Sequence, residues 1–161
     1  MKAFNRNSGL LLFCAGWLLC GAPVLSLAQS SEVAVVVNDS NKTTELSLPE
    51  LRKILAGERR SWPGGASVKL FVRPSGTHER AVLLKLLGMS ESEYTQYWTA
   101  QVFRGEAQSE PIVLPSNGMQ KEAVLLYPGA IALMEVKDVK PGLKVLKVNG
   151  RTTGEPTYPL K

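Results

Sequence analysis

Short apolar runs recur along the chain and are separated by longer stretches with polar positions on one side. The run 33–37, VAVVV, is β-branched throughout, which is typical of a strand that is buried on both faces. Similar runs at 68–72, 111–114, 130–134 and 143–148 predict further strands. The pattern therefore indicates a sheet that is covered on both sides over most of its width.

Helix signals lie between these runs. Ser47 and Glu50 form a capping box ahead of an apolar helical face, and Gly57 follows where a C-terminal cap glycine belongs. Ser90 and Glu93 form a second capping box. The predicted helices cover about 48–55, 79–87, 94–102 and 119–127. Strands alternating with such helices predict one α/β domain with a mostly parallel sheet and helices on both faces.

The N-terminal segment predicts export. Two basic residues precede the uncharged apolar run 9–20, and Ser26-Leu27-Ala28 offers small residues for cleavage. We therefore expect residues 1–28 to be a cleavable signal peptide and the protein to be periplasmic or secreted. The alternative is a retained membrane anchor. It is disfavoured because a spanning helix needs about 20 apolar residues and Pro23 interrupts the segment.

Composition changes this picture in two ways. Both cysteines lie in the predicted signal peptide, so the domain expected at 29–151 must be held together by packing alone. The tail 152–161 is polar and contains proline, and we expect it to be flexible.

The formal net charge is +5, without a block of basic residues. This charge pattern disfavours nucleic acid as a partner and is compatible with a small anion as ligand. We expect no stable membrane insertion after cleavage.

The strongest chemical signal is Ser75-Gly76-Thr77, which lies between a predicted strand and a predicted helix. A helix start presents free N–H groups and the positive end of the helix dipole, so it favours an anion. Ligands also collect at the carboxyl ends of strands in α/β sheets. The residues expected to contribute are Arg73, Ser75, Gly76, Thr77, His78 and Arg80. The alternative is that Ser75 or Thr77 only caps the helix, and the tripeptide alone favours that reading.

Ser116-Asn117-Gly118 is a second loop of the same type, and we include Ser116 and Asn117 in the candidate anion site. Taken alone, this loop too is more typical of a helix cap than of a ligand site.

No catalytic constellation is visible. His78 is the single histidine, and one histidine cannot build a metal cage, so we expect no metal and no cofactor. Glu91 and Glu93 are better explained as capping carboxylates than as an acid pair. Tyr94, Tyr97 and Trp98 recur at helical spacing, which predicts core packing. The sequence therefore predicts a binding protein and not an enzyme, and it disfavours a secreted phosphatase.

The order of several phrases resembles a known family. The phrases are, in order, VAVVVN, LSLPELRKILAGERRSWPGG, SGT at a helix start, YW…VFRG and PSNG…YPGAIALM. Together they resemble the phosphate-binding proteins of ABC transporters, which are type II periplasmic binding proteins. The resemblance covers roughly 33–150. It implies a single three-layer lobe of that fold and a phosphate-like oxyanion as ligand.

The resemblance also has departures. The family's phosphate loop reads as an arginine, a short spacer and then Gly-Ser-Gly-Thr. Ser75, Gly76 and Thr77 match its end, but Arg73 lies closer than in the family and the preceding glycine is absent. Arg80 is the candidate replacement for the family arginine. Family members have two lobes, whereas this chain matches only the second, so the implied half-site is open to water and weak.

These observations leave two hypotheses. The first is an exported, non-catalytic solute-binding-like module that binds phosphate or a similar oxyanion at helix N-termini. The alternative is a periplasmic protein-interaction module that has lost its ligand. The partners implied are an ABC permease, a second lobe-like chain or a second copy in a homodimer.

Overall fold

The computed structural model describes residues 31–161, so the predicted signal peptide lies outside the described residues. The strands are β1 (Val33–Asn38), β2 (Glu45–Leu46), β3 (Lys69–Val72), β4 (Ile112–Val113), β5 (Ala130–Glu135) and β6 (Leu143–Val148). The helices are α1 (Leu48–Leu55), α2 (His78–Leu87), α3 (Glu91–Phe103) and α4 (Asn117–Leu126), with a 3-10 turn at Val136–Asp138. Within 31–161, no helix has both the length and the apolar character that a membrane span requires.

The strands form one sheet in the order β2-β6-β1-β5-β3-β4. β3 runs parallel to both β5 and β4, and β2 runs parallel to β6. β1 is antiparallel to its two neighbours, β5 and β6. Five strands therefore share one direction and β1 opposes them, which confirms the predicted mostly parallel sheet.

Side chains of the central strand divide the core into two halves. Val33, Val35 and Val37 of β1 pack with side chains of α1, α2 and α3 on one face. Ala34 and Val36 point to the other face and pack with Val124 of α4 and with β5. Because β1 is buried on both faces at every position, its uninterrupted apolar run is explained. The predicted three-layer arrangement with helices on both faces is confirmed.

Local signals place the helix ends. Both predicted capping boxes form, Ser47 with Glu50 at α1 and Ser90 with Glu93 at α3. Gly57 follows α1 with φ +73°, and a Cβ at this position would lie 2.4 Å from Cη2 of Trp98. Glycine is therefore required here for both the backbone conformation and the close approach of the indole ring.

The C-terminal segment differs from the expected flexible tail. Tyr158 and Leu160 are buried in the core beside β1. The Tyr158 hydroxyl donates to the Val33 carbonyl at 3.0 Å, and the Val33 N–H donates to the Leu160 carbonyl at 3.0 Å. Burial of the largely apolar side chains of Tyr158 and Leu160 therefore holds this otherwise polar segment against the sheet.

Candidate functional site

The candidate site lies where β3 and β4 end. These strands are parallel neighbours, with Val72 paired to Val113. The chain leaves β3 into α2, which packs on the face of α1 and α3, and leaves β4 into α4, which packs on the opposite face. In such sheets, connections that diverge after adjacent parallel strands leave the usual ligand position just outside the carboxyl ends of the strands. We call this the carboxyl-edge crevice, bounded by the segments 73–78 and 114–117.

Arg73 joins the two segments. Its Nη1 donates to the Leu114 carbonyl at 2.9 Å, and its Nε lies 3.8 Å from Oε1 of Glu79. The side chains of Arg73 and Glu79 are 12% and 5% exposed. The Nε of Arg73 is buried and has no hydrogen-bond partner among the described residues. Arg73, which lies closer to the Ser-Gly-Thr phrase than the family's arginine does, is therefore inside the crevice, next to the buried carboxylate of Glu79.

The Ser75-Gly76-Thr77 loop divides into a capping residue and two exposed residues. Thr77 is the N-cap of α2: its hydroxyl accepts from the Arg80 N–H at 3.4 Å and donates to the Pro74 carbonyl at 2.9 Å. Ser75 and Gly76 are exposed. Gly76 has φ +85°, a backbone conformation that favours glycine. The space around it is open, so no neighbouring atom would collide with a side chain there. The expected capping role thus falls on Thr77.

Arg80 is held by α3. Its guanidinium contacts Glu91 through two nitrogens, at 3.0 Å from Nε and 2.8 Å from Nη2, and lies 3.9 Å from the centre of the Tyr94 ring. The hydrogen bond from Arg80 lowers the pKa of Glu91, with a smaller contribution from the Ser75 hydroxyl. Burial raises the pKa of Tyr94 to about 12. Arg80 is therefore already paired in this structure.

The remaining predicted residues also have partners within the chain. Nε2 of His78 lies 2.7 Å from the Ser31 carbonyl. Ser116 caps α4 by accepting from the Met119 N–H at 3.2 Å. Asn117 donates from Nδ2 to Oδ2 of Asp138 at 2.6 Å. Ser116 and Asn117 follow β4 at the same edge of the sheet at which residues 73–78 follow β3.

Sequence reasoning missed the polar groups that balance the predicted cations. Glu79 and Glu91 face Arg73 and Arg80, and only the fold reveals these pairings. The expected capping role applies to Glu93 and is wrong for Glu91, which pairs with Arg80 instead.

Gln120 is fully buried, donates to the Phe71 carbonyl at 3.4 Å and leaves its Oε1 without a partner. Across 31–161, no three His, Cys, Asp or Glu side chains cluster as metal ligands would.

A scan against protein-family models finds no match for the chain, and a search of curated proteins finds none either. Solved structures do resemble it. They include an ABC-type phosphate transport receptor from Vibrio cholerae (TM-score 0.60, 20% identity) and a phosphate ABC transporter substrate-binding protein with bound phosphate from Clostridium perfringens (TM-score 0.60, 21% identity). PstS from Borrelia burgdorferi is a third, with TM-score 0.57 and 24% identity.

Each of these likenesses covers 75% of this chain and 47%, 46% or 48% of the respective solved chain. The chain thus spans just under half the length of these proteins, which fits the predicted single-lobe form. At identities below one quarter, the likeness shows the fold and leaves the ligand open. The chain has the fold of the phosphate-binding proteins of ABC transporters over just under half of their length.

Proposed function

We propose that this chain is an exported, non-catalytic solute-binding-like module that binds phosphate or a similar oxyanion in the carboxyl-edge crevice. The observation that supports the proposal is that two helices begin after the carboxyl ends of the neighbouring parallel strands β3 and β4. α2 begins after β3 and α4 begins after β4, on opposite faces. Each helix start favours an anion at this edge of the sheet.

Three groups are suited to contact the anion. The Ser75 hydroxyl and the Gly76 backbone are exposed, and the guanidinium of Arg73 reaches the Leu114 carbonyl of the neighbouring segment. The N–H groups of the first two residues of each helix lack helical acceptors and supply further donors, while the third N–H is taken by the capping hydroxyl. One structure of the same fold, that from Clostridium perfringens, holds phosphate.

The neighbouring carboxylates set the strength of binding. Glu79 lies beside Arg73, and Glu91 beside Arg80 and Ser75, so the cations are largely balanced before an anion arrives. Ser75 and Gly76 are also exposed, so water competes for their hydrogen bonds. We therefore expect a dissociation constant on the order of millimolar. Tight binding would require a second surface to close the site.

The same balance of charges favours a second candidate function. Arg73 is held by the Leu114 carbonyl and Arg80 by Glu91, so both side chains keep their positions without a ligand. A lobe of this kind serves as an interaction module for an ABC permease or for a second lobe-like chain. The two candidate functions differ in one measurable property, which is whether the isolated protein takes up an oxyanion.

Calorimetric titration with phosphate and with sulfate tests the proposal. Ser75→Asp places a negative charge at the exposed entrance and should abolish the binding heat. Ser61→Asp is the matched control, because it adds the same charge at an exposed serine in the loop before β3, toward the opposite edge of the sheet, and should leave binding unchanged. At ten times its dissociation constant, phosphate should also stabilise the unmodified protein by about 1.4 kcal/mol. Absence of heat and of stabilisation in the millimolar range would reject the oxyanion proposal and leave the interaction module.

A further inference from the structure

A carboxylate of the chain itself occupies two of the groups expected to bind an anion. Glu91, the first residue of α3, accepts from Arg80 with both oxygens: Oε1 from Nε at 3.0 Å and Oε2 from Nη2 at 2.8 Å. The hydrogen bond from Arg80 and, to a smaller extent, the Ser75 hydroxyl lower the pKa of this carboxyl group. An arginine fork and a hydroxyl are donors that a bound phosphate or sulfate also uses. Glu91 thus holds the position of an anionic ligand.

The two members of this ion pair are held unequally. The Arg80 side chain is 8% exposed, and its guanidinium lies 3.9 Å from the centre of the buried Tyr94 ring. The Glu91 side chain is 39% exposed. When the pair opens, the carboxylate therefore turns into water, while the guanidinium stays on the aromatic ring. The Nε–Nη2 edge of Arg80 is then free for two oxygens of an oxyanion.

The Arg73–Glu79 pair does not have this property. Its side chains are 12% and 5% exposed, so the Glu79 carboxylate has no comparable access to water. A buried carboxylate that loses its cation is costly, because it is left without solvent and without a partner. Of the two carboxylates that face the predicted cations, Glu91 is therefore the exchangeable one.

We infer that Glu91 is an internal competitor for the oxyanion: it holds Arg80 and Ser75 in the free protein, and a bound oxyanion takes its place on both. The inference rests on the proposed function and deepens it by naming the residue that limits affinity. Removal of the Glu91 charge should then strengthen anion binding, although the same change weakens the fold slightly.

Calorimetric titration with phosphate at fixed pH and ionic strength tests this competition. Glu91→Gln should lower the dissociation constant by about tenfold or more, because the anion no longer displaces a charged hydrogen-bonded group. Glu93→Gln is the matched control. It removes the same charge from the same helical turn, and glutamine preserves the capping box with Ser90. It should change the constant by less than about threefold, and circular dichroism should show both variants folded.

Carbon-detected NMR of the glutamate carboxyl groups follows the displacement itself. Saturating phosphate should move the Glu91 Cδ resonance towards that of a solvent-exposed glutamate and leave the Glu93 resonance in place. A role of Glu91 confined to stability predicts no such movement.

The outcomes separate this inference from the proposed function. Binding by the unmodified protein that is unchanged or weaker in Glu91→Gln overturns the competition and leaves the oxyanion site standing. An equal gain in Glu93→Gln overturns it too, since net charge then explains the effect. Binding by Glu91→Gln alone supports the competition and rejects oxyanion binding by the unmodified chain. Absence of binding in all three proteins overturns both.

Discussion

Replacement of Gly57 by alanine tests how α1 and α3 are locked together. Gly57 has φ +73°, and an alanine in this left-handed conformation costs about 1–2 kcal/mol. The new Cβ would lie 2.4 Å from Cη2 and 3.0 Å from Cζ3 of Trp98, which is only 5% exposed and cannot swing into water. Overpacking of this kind costs about 1–3 kcal/mol more. We therefore expect Gly57→Ala to lower the free energy of unfolding by about 2–5 kcal/mol.

Gly88→Ala is the matched control for this measurement. Gly88 ends α2 with φ +67°, and a Cβ there would meet nothing within 4 Å. It therefore carries the conformational cost of about 1–2 kcal/mol without the collision. Urea unfolding measures the loss of unfolding free energy in each variant. Replacing a glycine restricts the unfolded chain equally in both variants, so that effect cancels when the two losses are subtracted. Equal losses at the two positions would refute the close packing of Gly57 against Trp98.

Three further substitutions test other parts of the structure. Leu160→Ala should lower the free energy of unfolding by about 2–5 kcal/mol because Leu160 is 1% exposed, and a negligible loss in chemical denaturation would show a detached tail. Glu91→Gln should cost about 1 kcal/mol because it leaves the Arg80 guanidinium without its carboxylate, while Glu106→Gln, at an exposed pair, should change stability by less than about 0.5 kcal/mol. The pKa of Glu91 is lowered in the folded state, so its contribution is present above the unfolded pKa and is lost as the pH falls through the folded pKa. Stability measured across that acidic range should therefore fall less steeply in Glu91→Gln, and an unchanged slope would contradict the pairing. Gly129→Ala should destabilise the protein by about 3 kcal/mol or prevent folding, because its Cβ would lie 1.8 Å from the Ser67 carbonyl oxygen, and a normal thermal unfolding midpoint would contradict that contact.

Much of the fold follows from local sequence signals. The capping boxes at Ser47 and Ser90 and the glycine after α2 place helix ends by themselves, since their hydrogen bonds are made within a few residues. The apolar run at 33–37 identifies a buried strand but not its direction. β1 runs antiparallel to its neighbours because of how the chain connects the strands. The spacing of apolar residues carries no information on strand direction. β2 has two residues, too few to show a pattern.

The candidate site was predictable only in part. A strand–loop–helix phrase with Ser75, Gly76 and Thr77 indicates the position of a helix N-terminus, and the fold confirms that position. The neighbours of each cation depend on long-range packing. Glu91 reaches Arg80 from the start of the next helix, and Leu114 reaches Arg73 from the adjacent strand, 41 residues away along the chain. No local pattern predicts such partners. The sequence therefore located the positive groups and missed the carboxylates that balance them.

Amide chemical-shift mapping during a phosphate titration tests the central claim most directly, because it reports where an anion binds as well as whether it binds. The account predicts saturable shifts on the order of millimolar phosphate at the amides of Ser75, Gly76, Thr77 and Asn117. The same shifts should disappear in Ser75→Asp and persist in Ser61→Asp. Shifts that are absent, or that are centred on residues away from 73–78 and 114–117, would contradict it.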